Sequence, residues 1–326
     1  MMILSDNFSR NFHYVRLSIT DRCNFKCQYC LQNGYQGTGQ QQDLTIVEIE
    51  NLVAALVEMG IWKIRLTGGE PTVRNDLTAI IATIRKFPQI TELSLTTNAY
   101  RLYRQLDEYL AAGLTGINIS VDSLDRQQFT KITGVDRLDK ILPVIDRALA
   151  SSLKSVKINA VLLKDSYLNE LERFSQLLIT KTLTVRFIEL METGDNKEYF
   201  KQNYISANEV ANYLESNKWM KVPRSIAAGP AQEFKHDQFS GKFGVIAPYS
   251  KDFCDGCNRL RFTARGELRL CLFGEGNYSI RHLLQNKADK TLLQQQILSA
   301  LTTKPAAHRL NESLTGNVIN FSKIGG

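Results

Sequence analysis

Short apolar runs recur along the first 190 residues at near-regular intervals, and after each run apolar positions return every three or four residues. The runs at 15–20, 63–67, 92–97, 116–121, 156–162 and 184–190 are expected as strands. The stretch 45–59 (TIVEIENLVAALVEM) has the helical period. Ile46, Ile49, Leu52, Val53 and Leu56 share one face, and Thr45 is placed to cap the N-terminus. Alternation of strand and helix calls for a parallel sheet, because each connection is long enough for a right-handed crossover. Six such units make an α/β fold, an incomplete (βα)6 TIM-type barrel whose chemistry belongs at the mouth formed by the C-terminal strand ends. The residues at those ends are suggestive: Cys23 follows the first strand, Gly68-Gly69-Glu70-Pro71 the second, with Thr96 and Asn98 at the third and Ser120 at the fourth.

After about residue 194 the pattern changes. One more helical stretch, 206–216, precedes a segment at 222–241 rich in Pro, Gly and polar residues. A junction there divides a barrel domain, residues 1–220, from a smaller C-terminal α+β domain, residues 221–326. Short strands are expected in the latter at 243–247, 260–263 and 268–271, with helical stretches at 279–285 and 292–301. Composition adds little, since 43% hydrophobic and 22% charged residues over 326 positions is ordinary globular usage. No apolar run approaches the roughly 18 residues of a membrane span. The opening MMILSDNFSRNF lacks the apolar core of a secretory signal, so a cytoplasmic location is expected. A formal net charge of +7 favours polyanions: nucleic acid, lipid headgroups or a phosphorylated small molecule.

Cysteine placement alters the picture more. All six fall into two triads, Cys23/Cys27/Cys30 and Cys254/Cys257/Cys271. Three thiols pair poorly as disulfides, and a reducing compartment keeps them free. The first triad offers three thiolates where a four-iron cluster presents four irons, which leaves one iron open to a chelating ligand. Structural zinc asks for four protein ligands, and the nearest histidine is His13. At the second triad zinc is a stronger rival, with His236 or His282 to complete a tetrahedron. Arg259-Leu260-Arg261 directly after that knuckle argues instead for an anionic substrate beside an open iron.

The Cys-x3-Cys-x2-Cys spacing with Tyr29 before the third cysteine, together with Gly-Gly-Glu-Pro at 68–71, resembles the radical S-adenosylmethionine superfamily. From Val15-Arg16-Leu17-Ser18 to the terminal Gly325-Gly326, the chain resembles the GTP 3′,8-cyclase family of molybdenum cofactor biosynthesis. The resemblance implies S-adenosyl-L-methionine and two [4Fe-4S] clusters, one on each triad, the second in the C-terminal domain with its open iron on the guanine of GTP. It implies that Tyr29, Gly69, Ser120 and Met191 line the S-adenosylmethionine pocket. For GTP it implies Arg16, Arg65, Thr96, Lys157, Arg259 and Arg261, with Lys63 and Arg186 as further contacts. The implied reaction removes hydrogen from C3′ of GTP, joins C3′ to guanine C8, and adds one electron and a proton. The implied partners are a reduced electron donor such as flavodoxin or ferredoxin and, downstream, cyclic pyranopterin monophosphate synthase. Neither nucleic acid nor membrane is expected, and a homodimer is left open. The family's terminal Gly-Gly is thought to reach the active site. The chain departs from the family at Leu31-Gln32, commonly Met-Pro, and at Ala99, usually Gly.

Residue chemistry supports the GTP set independently. Arg16, Arg65, Thr96 and Lys157 fall on expected strands, five of the six are cationic, and charge-assisted hydrogen bonds contribute about 1.5–3 kcal/mol each. Two rivals are a radical enzyme that matures peptides, with an auxiliary cluster, and a zinc-knuckle RNA-binding protein. A peptide gives no reason for cations on successive strands, and a zinc knuckle leaves Gly-Gly-Glu-Pro and the first triad unexplained.

Overall fold

A computed structural model describes residues 4–37, 42–225 and 228–324. The six expected strands form within a residue or two of their predicted ends. They are β1 (Tyr14–Ser18), β2 (Lys63–Thr67), β3 (Glu92–Thr97), β4 (Gly116–Ser120), β5 (Ser155–Leu162) and β6 (Thr184–Glu189), and they pair in parallel in chain order. Their crossovers carry α1 (Ile46–Glu58), α2 (Leu77–Arg85), α3 (Leu102–Ala111), α4 (Arg126–Thr133), α5 (Leu138–Leu149) and α6 (Tyr167–Thr180). After β6 come α7 (Lys197–Asn203) and α8 (Ala207–Ser216).

Alternation along the strands separates two chemistries. One face carries Val15, Leu17, Ile64, Leu66, Leu93, Leu95, Ile117, Ile119, Val156 and Ile158, all buried in one core with the apolar helix faces. The other face, turned into the barrel, is polar. In register across it stand Arg261, Arg16, Arg65 and Ser94, and further along Thr96, Asn118 and Lys157. An ordinary barrel interior is filled with branched apolar side chains. This one is instead lined for a charged occupant.

The C-terminal part is layered onto the barrel by strand addition. β9 (Lys242–Ile246) pairs in parallel with β6, and β10 (Arg259–Phe262) pairs in parallel with β1, so each edge of the six-stranded sheet gains a strand. Beyond β9 lie β8 (Gln232–Lys235) and β7 (Met220–Lys221), and beyond β10 lie β11 (Glu267–Arg269) and β12 (Tyr278–Ser279), all antiparallel to their neighbours. Among the described residues the sheet has twelve strands, runs from β12 to β7 and does not close on itself. Covering the edges satisfies backbone groups that an open six-stranded barrel would expose. β8 lies inside the segment expected only as a polar junction, where Phe234 is the apolar residue of the strand that becomes fully buried. The helical stretch expected at 279–285 is a single 3₁₀ turn, Arg281–Leu284, because Tyr278 and Ser279 are drawn into the sheet. α9 (Lys290–Leu301) starts two residues earlier than its pattern suggests and packs on α1.

One carboxylate joins the barrel to the later segment. Thr45 caps α1 as expected: its hydroxyl accepts from Glu48 N at 3.2 Å, and Glu48 accepts from Thr45 N at 2.7 Å. Glu48 also accepts from Arg281 Nε at 2.8 Å and Gln285 Nε2 at 2.6 Å. Burial pushes its carboxyl up, but Arg281, Thr45 and Gln285 outweigh burial and bring it down to about 2. Because the folded value lies below the ordinary 4.5, the stabilisation is complete above that pH and is lost as pH falls toward 2. Glu48→Ala should therefore lower unfolding stability by about 3 kcal/mol at neutral pH and by much less near pH 2. Thr45→Ala should cost about 1 kcal/mol. Denaturant unfolding across pH measures both.

Candidate functional site

The loop after β1 carries the first triad, and its course is set by the loop after β2. Gly69 N donates to Thr20 O at 2.9 Å and Glu70 N to Arg22 O at 2.7 Å. A Cβ on Gly68 (φ +144°) would lie 2.2 Å from Thr20 O, and one on Gly69 would lie 2.3 Å from Arg22 O. The two glycines thus let one backbone lie flush against the other just before Cys23. Glu70 is buried, and its carboxylate accepts from Thr72 N and Oγ1, Thr97 Oγ1 and Asn98 N at 2.6–3.0 Å. Asn98 Nδ2 donates back to Asn24 Oδ1 at 2.9 Å, which closes a network around the cysteine loop. Ala99, next in line, holds a left-handed φ of +61°.

Cys23, Cys27 and Cys30 face an open cavity of about 1780 Å³, mouth included, that Tyr29, Gly69, Ser120 and Met191 also line. Tyr29 Oη donates to Asp122 Oδ2 at 2.9 Å, while Asp122 Oδ1 accepts from Val161 N at 2.9 Å. Burial pushes the Asp122 carboxyl up to about 6. Asn196 Nδ2 donates to the carbonyls of Tyr29 (2.9 Å) and Met191 (3.0 Å), fixing these two walls relative to each other. Sequence reasoning missed both Asp122 and Asn196. Asp122 has a signal, two residues past Ser120 at a strand end; Asn196 has none.

Cys254, Cys257 and Cys271 line the same cavity from the side of β10. Arg10 holds their loop from below, donating from Nη1 to Cys254 O and Ala306 O and from Nη2 to Pro305 O, itself anchored by Asp6 at 2.6 Å. The histidine beside this triad is His308, between the rings of Phe253 and Phe273. Neither His236 nor His282 lines the cavity; His236 packs on Trp219 and Phe239 instead. The C-terminal segment also arrives here. Phe321 and Ser322 line the cavity, and their N–H groups are directed at the Cys30 sulfur. Gly325 and Gly326 lie outside the described residues.

Cys257 differs electrostatically from the first triad, whereas burial raises Cys254 as it raises those thiols. Burial pushes the thiols of Cys23 up to about 11 and Cys30 up to about 12, and Cys27 also rises well above its ordinary value. Burial acts on Cys257 too, but Arg259, Lys304 and Arg261 outweigh it and bring that thiol down to about 7. All six cysteines are free. Among the described residues no three His, Cys, Asp or Glu side chains close around a single ion. A four-iron cluster asks for less convergence, since each thiolate ligates its own iron. Three free thiols on one cavity wall, with the N–H groups of Asn24, Phe25, Phe321 and Ser322 aimed at the sulfurs of Cys23 and Cys30, fit such a group.

Arg16, Arg65, Thr96, Arg259 and Arg261 line the cavity that holds both triads. All six residues of the GTP set prove to lie on strands of one sheet, because Arg259 and Arg261 are β10. Lys157 stands apart from the mouth. With Lys63 it lines an adjoining space, open to solvent, at the N-terminal strand ends, and Arg65 and Arg186 border both spaces. Burial, then Arg16 and Arg259, brings the Arg261 guanidinium down to about 9, and burial, then Arg186, brings Lys157 down to about 7. Arg16 Nε, Arg186 Nε, Arg259 Nε and Nη1, Arg261 Nε and Thr96 Oγ1 are buried without a hydrogen-bond partner. Buried cations and orphaned donors of this kind call for an anion.

Comparison with known proteins agrees with this chemistry. The Radical SAM superfamily matches residues 17–178, and Molybdenum Cofactor Synthesis C matches residues 183–310. The chain is 47% identical over 326 residues to a GTP 3′,8-cyclase of Stenotrophomonas maltophilia (strain K279a), covering 100% of both chains. It is 45% identical to one of Shewanella denitrificans, covering 100% of this chain and 97% of that one, and 43% identical to one of Synechococcus elongatus, covering 100% of both. Among solved structures, Streptococcus suis SuiB bound to S-adenosylmethionine superposes with a TM-score of 0.64 over 90% of this chain and 68% of that one. At 14% identity this likeness is one of fold.

Gly69→Ala should displace the backbone before Cys23 and lower iron after anaerobic reconstitution from about eight to about four per chain; an iron count checks it. In cluster-free protein at about pH 8, iodoacetamide should label Cys257 before Cys30, with the Cys257 rate falling as pH drops below about 7. Peptide mapping by mass spectrometry gives the order.

Proposed function

The chain belongs to the GTP 3′,8-cyclase family, and from that premise we propose how its own residues divide the work. It is a radical S-adenosylmethionine enzyme that converts GTP to (8S)-3′,8-cyclo-7,8-dihydroguanosine 5′-triphosphate, an early step of molybdenum cofactor biosynthesis. Its cofactors are S-adenosyl-L-methionine and two [4Fe-4S] clusters. The cluster on Cys23, Cys27 and Cys30, with S-adenosylmethionine, supplies the one-electron chemistry that activates a C–H bond. Tyr29, Gly69, Ser120 and Met191 shape the pocket for the methionine-derived cofactor. Tyr29 is positioned by Asp122 and Asn196. Cys254, Cys257 and Cys271 hold the second cluster where the guanine is bound.

The observation that carries the substrate reading is the row of Arg261, Arg16 and Arg65 across β10, β1 and β2, with orphaned donors facing the cavity of both triads. These residues, with Arg259 and Thr96, receive the triphosphate, and Lys157 meets it from the adjoining space. A peptide substrate would leave that row uncompensated. Residues 1–220 thus carry the S-adenosylmethionine chemistry, and residues 221–326 supply the second cluster and, through β10, two of the arginines. A reduced flavodoxin or ferredoxin is the proposed electron donor, and cyclic pyranopterin monophosphate synthase the enzyme that takes the product. The proposed setting is the cytoplasm. Among the described residues no helix is long and apolar enough to cross a membrane.

Reconstituted anaerobically, the protein should form 5′-deoxyadenosine only when GTP is present. Arg259→Ala combined with Arg261→Ala removes at least two charge-assisted contacts and should lower kcat/KM for GTP by about 100-fold or more, with the iron count of the first cluster unchanged. Unchanged turnover in the double variant would sink the phosphate assignment.

A further inference from the structure

Tyr14 opens β1 on the inner, polar face, and the chemistry described so far gives it no task. Only 2% of it is exposed. The register sets it beside Arg259 on β10 and Lys63 on β2, and Arg16 follows it two residues on along the same face. Lys63 Nζ and Arg65 Cζ each lie 5.5 Å from its ring centroid. Its hydroxyl is buried without a well-formed hydrogen bond, and the Arg16 guanidinium is directed toward it. From β6, Arg186 also feels its charge. The carboxylates of the adjoining cavity, Glu92 on β3 and Glu233 on β8, lie against Lys63 (2.7 Å) and Lys242 (3.7 Å). Glu233 also acts on Arg186, and Cys257 on Arg259 and Arg261 until a cluster holds that thiol; Tyr14 is the acidic group that the register sets in the arginine row itself.

Burial alone would hold this phenol protonated. Arg65, Arg16 and Arg259 outweigh burial and bring it down to about 7, a range in which few tyrosines ionise. A polyanion brought to the same guanidiniums cancels their pull on the phenol and restores its affinity for a proton. The charge balance of the barrel floor then has two solutions: phenolate without substrate, or neutral phenol with phosphate.

We propose that Tyr14 is an internal anion that balances the arginine row in the substrate-free enzyme and takes up one solvent proton when a triphosphate arrives, coupling substrate binding to proton uptake. The step is an acid–base exchange: the phenolate oxygen gains a proton and no electron moves. It rests on the reading that the arginines receive the phosphates of GTP. Tyr14 acts through the arginines and is a positioning residue.

The test compares reconstituted enzyme with Tyr14→Phe, which keeps the ring and removes the oxygen. Calorimetry in two buffers of different ionisation enthalpy counts protons, with GTP and with inorganic tripolyphosphate as ligands. Lys157 and the ligand's own phosphate also exchange protons, and both cancel in the difference between the two proteins. The intact enzyme should take up about half a proton more than Tyr14→Phe at pH 7 and nearly one at pH 8. Its GTP affinity should fall about fivefold more than the variant's between those values. A near-ultraviolet phenolate band should fade from the intact enzyme on adding either ligand, which decides the matter even if the variant folds poorly. Equal proton counts with no phenolate band, while tripolyphosphate still competes with GTP, would overturn the role of Tyr14 and leave the phosphate site standing. Failure of tripolyphosphate to compete would overturn both.

Discussion

Three guanidinium groups held abreast on neighbouring strands set the terms for the rest of this molecule. Arg261, Arg16 and Arg65 stand in register on β10, β1 and β2, facing into the barrel, the first two buried and Arg65 half-buried. Like charges on neighbouring strands repel, and the repulsion grows where burial lowers the effective dielectric. A fold does not keep such an arrangement for its own stability. It is tolerated because the outer face of the same strands is a continuous apolar core, rigid enough to hold the inner face under strain. The cost becomes binding strength once an anion enters.

The same cations explain why Cys257 differs from the first triad in the same cavity. Around Cys23, Cys27 and Cys30 burial dominates, so the free thiols resist ionisation and backbone N–H groups supply the polarity at the sulfurs. Around Cys257 the arginines and Lys304 prevail. Cys257 is thus the thiol drawn toward the charged form, whereas burial holds Cys254 up as it does the first triad, whose Cys30 packs against Phe273, Leu310, Val318, Phe321 and Ile324. Exclusion of water suits chemistry that must protect a reactive species.

Precision at the mouth comes from ordinary hydrogen bonds between loops. Glu70 ties the loop after β2 to the loop after β3, Asp122 ties Tyr29 to β5, and Asn196 ties Tyr29 to Met191. The loops are consequently held by the ends of β2, β3, β4, β5 and β6 at once. Ala99, in the left-handed region within this assembly, stores about 1 kcal/mol of strain that a glycine would not.

Sequence alone determined the strand order of the barrel, because alternation with period two and helical crossovers of fixed hand allow little else. It also grouped the thiols into two triads suited to metal, because cysteine spacing is local, while zinc stayed a rival at the second. That Arg16, Arg65 and Lys157 fall on barrel strands was legible there too, whereas their inward aim was settled by packing. What it did not determine was where the C-terminal strands go. Their four- and five-residue runs carry no mark of a partner, and only docking showed that β9 and β10 extend the barrel at opposite edges, placing Arg259 and Arg261 in its own inner row. His308 at the second triad, the tail at Cys30, Asn196 between two walls and Tyr14 among the arginines are likewise products of the tertiary structure. Each depends on segments distant in the chain meeting in space. A local pattern records which face of a strand is apolar, whereas the company a side chain keeps is settled only when the faces pack.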